Sequence, residues 1–227
     1  VTLNGVLGAA PTAWQYISDH RHKILHLFYQ HVQLTVIAVL VGLAISIPLA
    51  LYSYRHPRIY GPIASATGIL YTIPSIALFV ALVPITGLHF RTVEIGLVSY
   101  TLLILIRNIV VGLRGVPEDV KEAARGMGYT ERQLLWRIEL PLALPAVMAG
   151  VRIATVSTIG LVTIASLIGL GGLGEFILEG LNTFYRPEIL LGALLSVAFA
   201  LVADGGLLLL QRRLTPWSRA AFVRTFG

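Results

Sequence analysis

The chain has 227 residues, of which 56% are hydrophobic and 12% charged, and its mean hydropathy is +0.80. Soluble domains carry about 25% charged residues, so this composition belongs to an integral membrane protein. The absence of cysteine excludes disulfides and thiolate metal sites, and the net charge of +6 raises a nucleic-acid reading that the placement of the charges then argues against.

Residues 1–31 are mixed. Trp14, Tyr16 and Ile17 precede a polar knot, Asp19-His20-Arg21-His22-Lys23, and Ile24, Leu25, Leu27 and Phe28 follow it. This pattern predicts an external, interfacial amphipathic helix. His20, His22, His26 and His31 complete no ligand motif, so no metal site is expected. The first long apolar run starts near residue 32, too far in for a secretory h-region, so no signal peptide is expected.

Five apolar stretches lie at about 32–52, 62–84, 92–113, 142–168 and 188–211, each near the roughly 20 residues that span a bilayer. The connectors 53–61, 114–140 and 212–227 hold Arg55, Arg58, Arg114, Lys121, Arg125, Arg132, Arg137, Arg212, Arg213, Arg219 and Arg224. The opposite set holds Arg21, Lys23, Arg91 and Arg186. Eleven against four places the first set in the cytoplasm by the positive-inside rule, with the N-terminus outside and the C-terminus inside. The excess charge therefore sets topology, and no nucleic-acid partner is expected. The expected layout is an external segment 1–31, a transmembrane domain 32–212 with a cytoplasmic loop 114–141, and a basic cytoplasmic tail 213–227.

Pro48, Pro74, Gly42, Gly68, Gly96 and Gly150 fall inside the spans. Membrane helices tolerate such residues where neighbours re-satisfy the backbone, and small residues let helices approach. Arg107, Arg152 and Asp204 also fall inside spans, where a charge costs roughly 2.5–3.5 kcal/mol on insertion scales. Arg107 and Asp204 each sit roughly 10 Å from the cytoplasmic end of their helices at 1.5 Å per residue. Equal depth suggests an Arg107–Asp204 ion pair, the alternative being separate snorkelling to the headgroups. Arg152, Thr155, Ser157, Thr158 and Thr163 give the fourth span a polar side that is a candidate lining for a translocation path.

The segment from Pro117 to Pro141 is the longest charged run. Pro117 suits a first helical position, with Glu118 and Asp119 in the first turn. Val116, Val120, Ala123, Ala124 and Met127 recur at helical spacing as one face, opposite Lys121, Glu122 and Arg125. Gly126 and Gly128 end that helix. Thr130 with Gln133 forms a capping box that starts a second, running through Leu134, Leu135 and Ile138 until Pro141 interrupts it. The pattern alone leaves two readings open: a handle gripped by a cytosolic partner, or a hairpin with none.

Further on, Gly169-Leu170-Gly171-Gly172-Leu173-Gly174 matches GxGxxG, but a dinucleotide site needs a preceding strand, and here a membrane helix precedes. Gly169, Gly171, Gly172 and Gly174 instead suggest a flexible outer hinge or gate. Glu175 and Glu179 follow at helical spacing, as a short helix touching a delivery protein or as a solvated loop. There is no GxxxxGK[ST] phosphate loop, the lysines being Lys23 and Lys121, and no convincing Ser/His or His/Glu catalytic set. No catalytic residue is expected.

Glu122-Ala123-Ala124, Gly128, Ile138 and Leu140-Pro141, at their spacing, resemble the EAA loop of ATP-binding-cassette (ABC) importer permeases. Tyr71-Thr72-Ile73-Pro74-Ser75, Ile106-Arg107-Asn108, the run Glu139 to Arg152 and Leu167 to Gly174 are similar to osmoprotectant permeases. The resemblance implies an all-α membrane protein of five transmembrane helices with the type I ABC importer (MetI-like) fold, in a bacterial cytoplasmic membrane. It implies that Glu122, Ala123, Ala124 and Gly128 dock on an ATPase subunit, while Ile138, Leu140 and Pro141 fix the return into the membrane. ATP and magnesium would be bound by that ATPase, leaving this chain without a cofactor or an ATPase site. The other implied partners are a second permease subunit, identical or paralogous, and an extracytoplasmic solute-binding protein. The implied cargo is glycine betaine, carnitine, choline or a similar solute; Tyr71 and Tyr100 are candidate cage residues, with plain packing as the alternative. An amino-acid permease of the same build, or a channel or scaffold without a motor, are the competing functions.

Overall fold

The computed structural model describes residues 13–217, so the first part of the expected N-terminal segment and most of the expected basic tail lie outside the described residues. All regular structure among the described residues is helical: α1 (Ala13–Asp19), α2 (Arg21–Arg55), α3 (Pro57–Thr72), α4 (Ser75–Thr86), α5 (Phe90–Arg114), α6 (Glu118–Gly126), α7 (Glu131–Leu134), α8 (Leu140–Ala165), α9 (Gly174–Asn182) and α10 (Arg186–Leu214). Among the described residues, four helical rods are long and apolar enough to cross a membrane, and the bent pair α3–α4 makes a fifth if counted as one span.

The expected division at residue 31 does not appear as a break. Nothing from Arg21 to His31 is a helix breaker, so α2 runs on through the first apolar stretch, and Pro48 does not end it. Proline acts differently at Pro74. It pushes the residue before it out of helical geometry, Ile73 adopts φ −66° and ψ 127°, and α3 and α4 meet at 94°.

α5 is the central helix, with a buried face running from Thr92 to Leu113. It packs between α2 and α8 through small residues, as membrane helices do in the absence of a water-driven force between them. A Cβ on Gly42 of α2 would lie 2.0 Å from the Thr101 hydroxyl, and one on Gly150 of α8 would lie 2.5 Å from Asn108 Cβ. Leu34, Ala38, Phe79, Val93, Leu97, Val162 and Ala165 form one core cluster. Ala50, Ile106, Ile109, Val110, Leu113, Leu135 and Ala143 form a second, nearer the α6–α7 hairpin. α10 lies on the outside, burying only Gly192 and Ser196.

The two ends of the bundle differ. At one, the Tyr54 hydroxyl donates to Glu139 at 2.6 Å, the Arg114 guanidinium lies 4.6 Å from the Tyr60 ring, and Gln211 donates to the Pro145 carbonyl at 3.4 Å. At the other, Lys23 pairs with Glu179 at 2.5 Å and the Tyr16 hydroxyl donates to Glu188 at 2.6 Å. α2 and α5 therefore run the same way, and α3 with α4 carries the chain back between them.

Candidate functional site

The α6–α7 hairpin is built by local rules. Pro117 stands one position before the helix, as its N-cap, with Glu118 and Asp119 in the first turn. α6 ends in a Schellman motif: Tyr129 N–H donates to the Ala124 carbonyl and Gly128 N–H to Arg125. Gly128 has φ +85°, a left-handed value that glycine tolerates and other residues resist. Thr130 and Gln133 cap α7 reciprocally, at 2.9 and 3.3 Å.

The expected interruption at Pro141 is corrected. A π-helical turn over Leu135–Glu139 lets Leu140 N–H reach back to the Leu135 carbonyl, and Pro141 then falls at the start of α8, where its missing N–H does no harm. α7 and α8 thus form one rod from Glu131 to Ile168.

An ionic net braces the hairpin. Glu118 accepts from Lys121 and from Arg125, each at 3.0 Å, and Arg125 also donates to Glu131 at 3.1 Å. Hydrogen bonds from Lys121 and Arg125 hold the Glu118 carboxyl below its usual range. Burial opposes the charge on Lys121, but Glu118 and Tyr54 outweigh it and raise its pKa. These groups and Glu139 line a cavity of about 530 Å³.

The expected faces of α6 are partly reversed. Lys121 is 8% exposed and turns inward with Val116 and Ala124, drawn by Glu118 and the Tyr54 ring. Val120 and Met127 are exposed, as are Glu122, Ala123 and Gly128. Of the residues expected to dock, Ala124 is the one covered by this chain itself. Ile138, Leu140 and Pro141 are half-buried in the π turn and the first turn of α8.

Within the spans, Asp204 belongs to Arg152. The Arg152 Nε and Nη2 atoms donate to Oδ1 and Oδ2 of Asp204, both at 2.8 Å. The expected Arg107–Asp204 pair is therefore overturned. Equal depth was satisfied, but α10 packs on α8 and α9, and Arg107 is exposed without an ion pair among the described residues. Thr155, Thr158 and Thr163 each donate their hydroxyl to a carbonyl of their own helix. Tyr71 and Tyr100 meet in a T-shaped pair at 5.7 Å. The Tyr100 hydroxyl donates to the Ile73 carbonyl and so holds the bend before Pro74.

Of the four glycines expected at an outer hinge or gate, Gly171, Gly172 and Gly174 are close-packed and Gly169 has open space. A Cβ on Gly171 would lie 2.0 Å from Ser166 N, one on Gly172 2.7 Å from His31 Cβ, and one on Gly174 2.3 Å from the Thr163 carbonyl. Gly169, at φ +79°, turns the chain into this seat. His31 is buried there, with Nε2 against the Ile159 carbonyl at 3.1 Å and Nδ1 accepting from Leu173 N–H at 3.3 Å. Two features escape a reading of apolar runs: Tyr54 as the partner of Glu139, and Glu94, a buried carboxylate in α5 whose two oxygens have no partner among the described residues.

Residues 29–216 match the family described as binding-protein-dependent transport system inner membrane component. The chain is 37% identical over 202 residues to the carnitine transport permease protein OpuCB of Listeria monocytogenes, covering 88% of this chain and 92% of the relative. It is 36% identical to the choline transport system permease protein OpuBB of Bacillus subtilis, covering 89% and 93%. It is 36% identical to the osmoprotectant import permease protein OsmW of Salmonella typhimurium, covering 88% and 96%. In fold it is similar to a chain of the inward-facing MetNI methionine ABC transporter, with a TM-score of 0.79 at 19% identity over 87% of this chain and 98% of the other. A chain of an amino acid ABC transporter gives 0.70 at 18% identity, over 87% and 97%. The chain belongs to the inner-membrane permease family of binding-protein-dependent ABC importers.

Proposed function

We infer that the chain is the permease subunit of an importer for osmoprotectants such as glycine betaine, carnitine or choline. The observation that carries the coupling part of this reading is the self-braced α6–α7 hairpin, whose outward strip of Val120, Glu122, Ala123 and Met127 has no partner among the described residues; the cargo follows from the osmoprotectant permeases this chain is similar to. It stands at the end of the bundle that also holds Arg55, Arg58, Arg114, Arg212 and Arg213. By the positive-inside rule that end is cytoplasmic, α3–α4 counts as one of five spans, and the N-terminus is outside.

In this reading Glu122, Ala123 and Gly128 dock on an ATPase subunit that binds ATP and magnesium. A second permease subunit, identical or paralogous, completes the path, and a separate solute-binding protein delivers the cargo. Closure of the ATPases draws the two hairpins together, and the bundles rock between inward and outward access. Arg152, Thr155, Thr158 and Thr163 belong to the polar side of that path, with Tyr100 and Tyr71 bracing the helix bend beside it. An amino-acid cargo has in its favour only a likeness of fold at 18–19% identity, which does not carry the solute.

The test is reconstitution in proteoliposomes with the cognate ATPase, partner permease and binding protein. ATP-dependent uptake of labelled glycine betaine, carnitine or choline is expected. Copurification of the ATPase should fail, or uptake collapse, when Glu122 becomes Ala or Gly128 becomes a bulky residue. Full complex and full uptake in both variants would remove the coupling role.

A further inference from the structure

α2, α8 and α10 enclose a groove of about 450 Å³, within the roughly 300–1,000 Å³ range of small-molecule sites. Its walls are apolar apart from Thr35 and Thr155, and they include the Phe199 ring, which makes T-shaped contacts with Phe28 and His31. Thr155 gives its proton to the Val151 carbonyl at 2.8 Å. Thr35 does not: its side chain is 2% exposed, and its hydroxyl has no partner among the described residues. Such an orphan costs free energy unless something else completes it.

The Arg152–Asp204 pair joins α8 to α10, two of the helices that wall this groove, and the next residues along each helix, Val151 and Ala203, line it. The side chains are 25% and 36% exposed. Charges that deep in a membrane protein do not face lipid; they face a path or a partner.

We propose that this corner is a charge-exchange site for a solute bearing a quaternary ammonium, whose carboxylate takes Arg152, whose ammonium takes Asp204, and whose methyl groups enter the groove beside Phe199. Opening the pair by itself would strand two charges at low dielectric. A zwitterion replaces one ionic contact by two and leaves neither charge bare. A quaternary ammonium has no N–H to donate, so a carboxylate, an aromatic face and apolar walls are the surroundings that suit it. Thr35 supplies the remaining hydrogen bond, to the carboxylate or hydroxyl of the solute. A cation without a carboxylate satisfies Asp204 only, and a neutral solute satisfies neither. The site thus distinguishes zwitterions from simple cations. It rests on the osmoprotectant reading above.

The experiment uses the complete transporter in proteoliposomes and compares uptake of labelled glycine betaine, a zwitterion, with that of choline, a cation. Arg152→Gln should depress glycine betaine about tenfold more than choline, the scale of one lost hydrogen bond to a charged group. Asp204→Asn should do the reverse. A merely structural pair lowers both solutes together, so an unchanged ratio in both variants overturns the site while leaving the osmoprotectant function standing. Wild-type uptake of neither of these solutes nor of carnitine would end that function and the site with it.

Should either variant fail to assemble, a second measurement decides. The chain has no cysteine, so Thr155→Cys places its one thiol in the groove of the assembled transporter. Choline or glycine betaine, but not sodium chloride at equal concentration, should slow maleimide labelling of this chain severalfold. Labelling that neither solute slows overturns the proposal.

Discussion

Arg152 on α8 and Asp204 on α10 meet in a fork of two hydrogen bonds, each 2.8 Å long. This geometry favours arginine over lysine, because only a guanidinium presents two parallel donors to a carboxylate. Replacement of Arg152 by Lys should therefore keep the charge and still lower the yield of folded transporter in gel filtration. Exchange of the two charges, Arg152→Asp with Asp204→Arg, should recover part of the yield lost in either single change. Arg107→Ala should leave it near wild type.

Gly126 and Gly128 stand two residues apart and should respond differently to alanine. Gly126 has ordinary backbone angles and open space around it, whereas Gly128 has equally open space but φ +85°. Alanine at 128 costs about 1–2 kcal/mol of left-handed strain and loosens the Schellman turn; alanine at 126 is neutral. Protease sensitivity of the hairpin, compared between the two variants, checks this.

Tyr54 is the anchor between α2 and the π turn. Its hydroxyl donates to Glu139, which is 5% exposed. Tyr54→Phe keeps the ring under Lys121 but removes that donor, with an expected loss of about 1–3 kcal/mol. The readout is the thermal midpoint of the purified protein.

The ionic net of the hairpin has a definite pH response. Lys121 and Arg125 hold the Glu118 carboxyl below its usual range, so its contribution is complete above the ordinary glutamate pKa of about 4.3. It is lost as pH falls through the depressed value. Hairpin accessibility to a labelling reagent should stay flat from neutral pH down to about 5 and rise below about 4. Glu118→Gln should show the raised accessibility at neutral pH.

Glu94 gives a prediction of opposite sign. Both its oxygens are buried without a partner among the described residues, so the carboxylate is a cost to the fold. Glu94→Met, which removes both orphaned oxygens at similar volume, should raise the thermal midpoint, by a free energy of about 1–3 kcal/mol. A lower midpoint would mean that the acid is held by a group outside the described residues.

The hairpin was legible because its signals are local. A Thr130–Gln133 box and a glycine two residues past a helix end act within one turn, wherever the rest of the chain lies. The apolar stretches were legible for the same reason. The partner of Asp204 was not: its depth follows from counting residues, but which helix stands beside α10 is a property of the packed bundle. Proline shows the limit most clearly. Pro48 and Pro145 lie inside unbroken helices, whereas Pro74 makes a bend of 94°. At that bend the hydroxyl of Tyr100, twenty-seven residues away, donates to the Ile73 carbonyl that the broken helix frees. The glycine run is ambiguous in sequence because the residue that permits motion also permits contact, and here Ser166, His31 and Thr163 fill the space beside Gly171, Gly172 and Gly174.

The π turn between Leu135 and Glu139 also bears on how movement travels. Because it joins α7 to α8 without a gap, a push on Thr130 is not absorbed in a slack joint. It tilts a stiff 38-residue lever, and Arg152 rides on that lever. In the coupling proposed above, a stroke delivered at the hairpin would travel along this helix to Arg152 and its fork with Asp204.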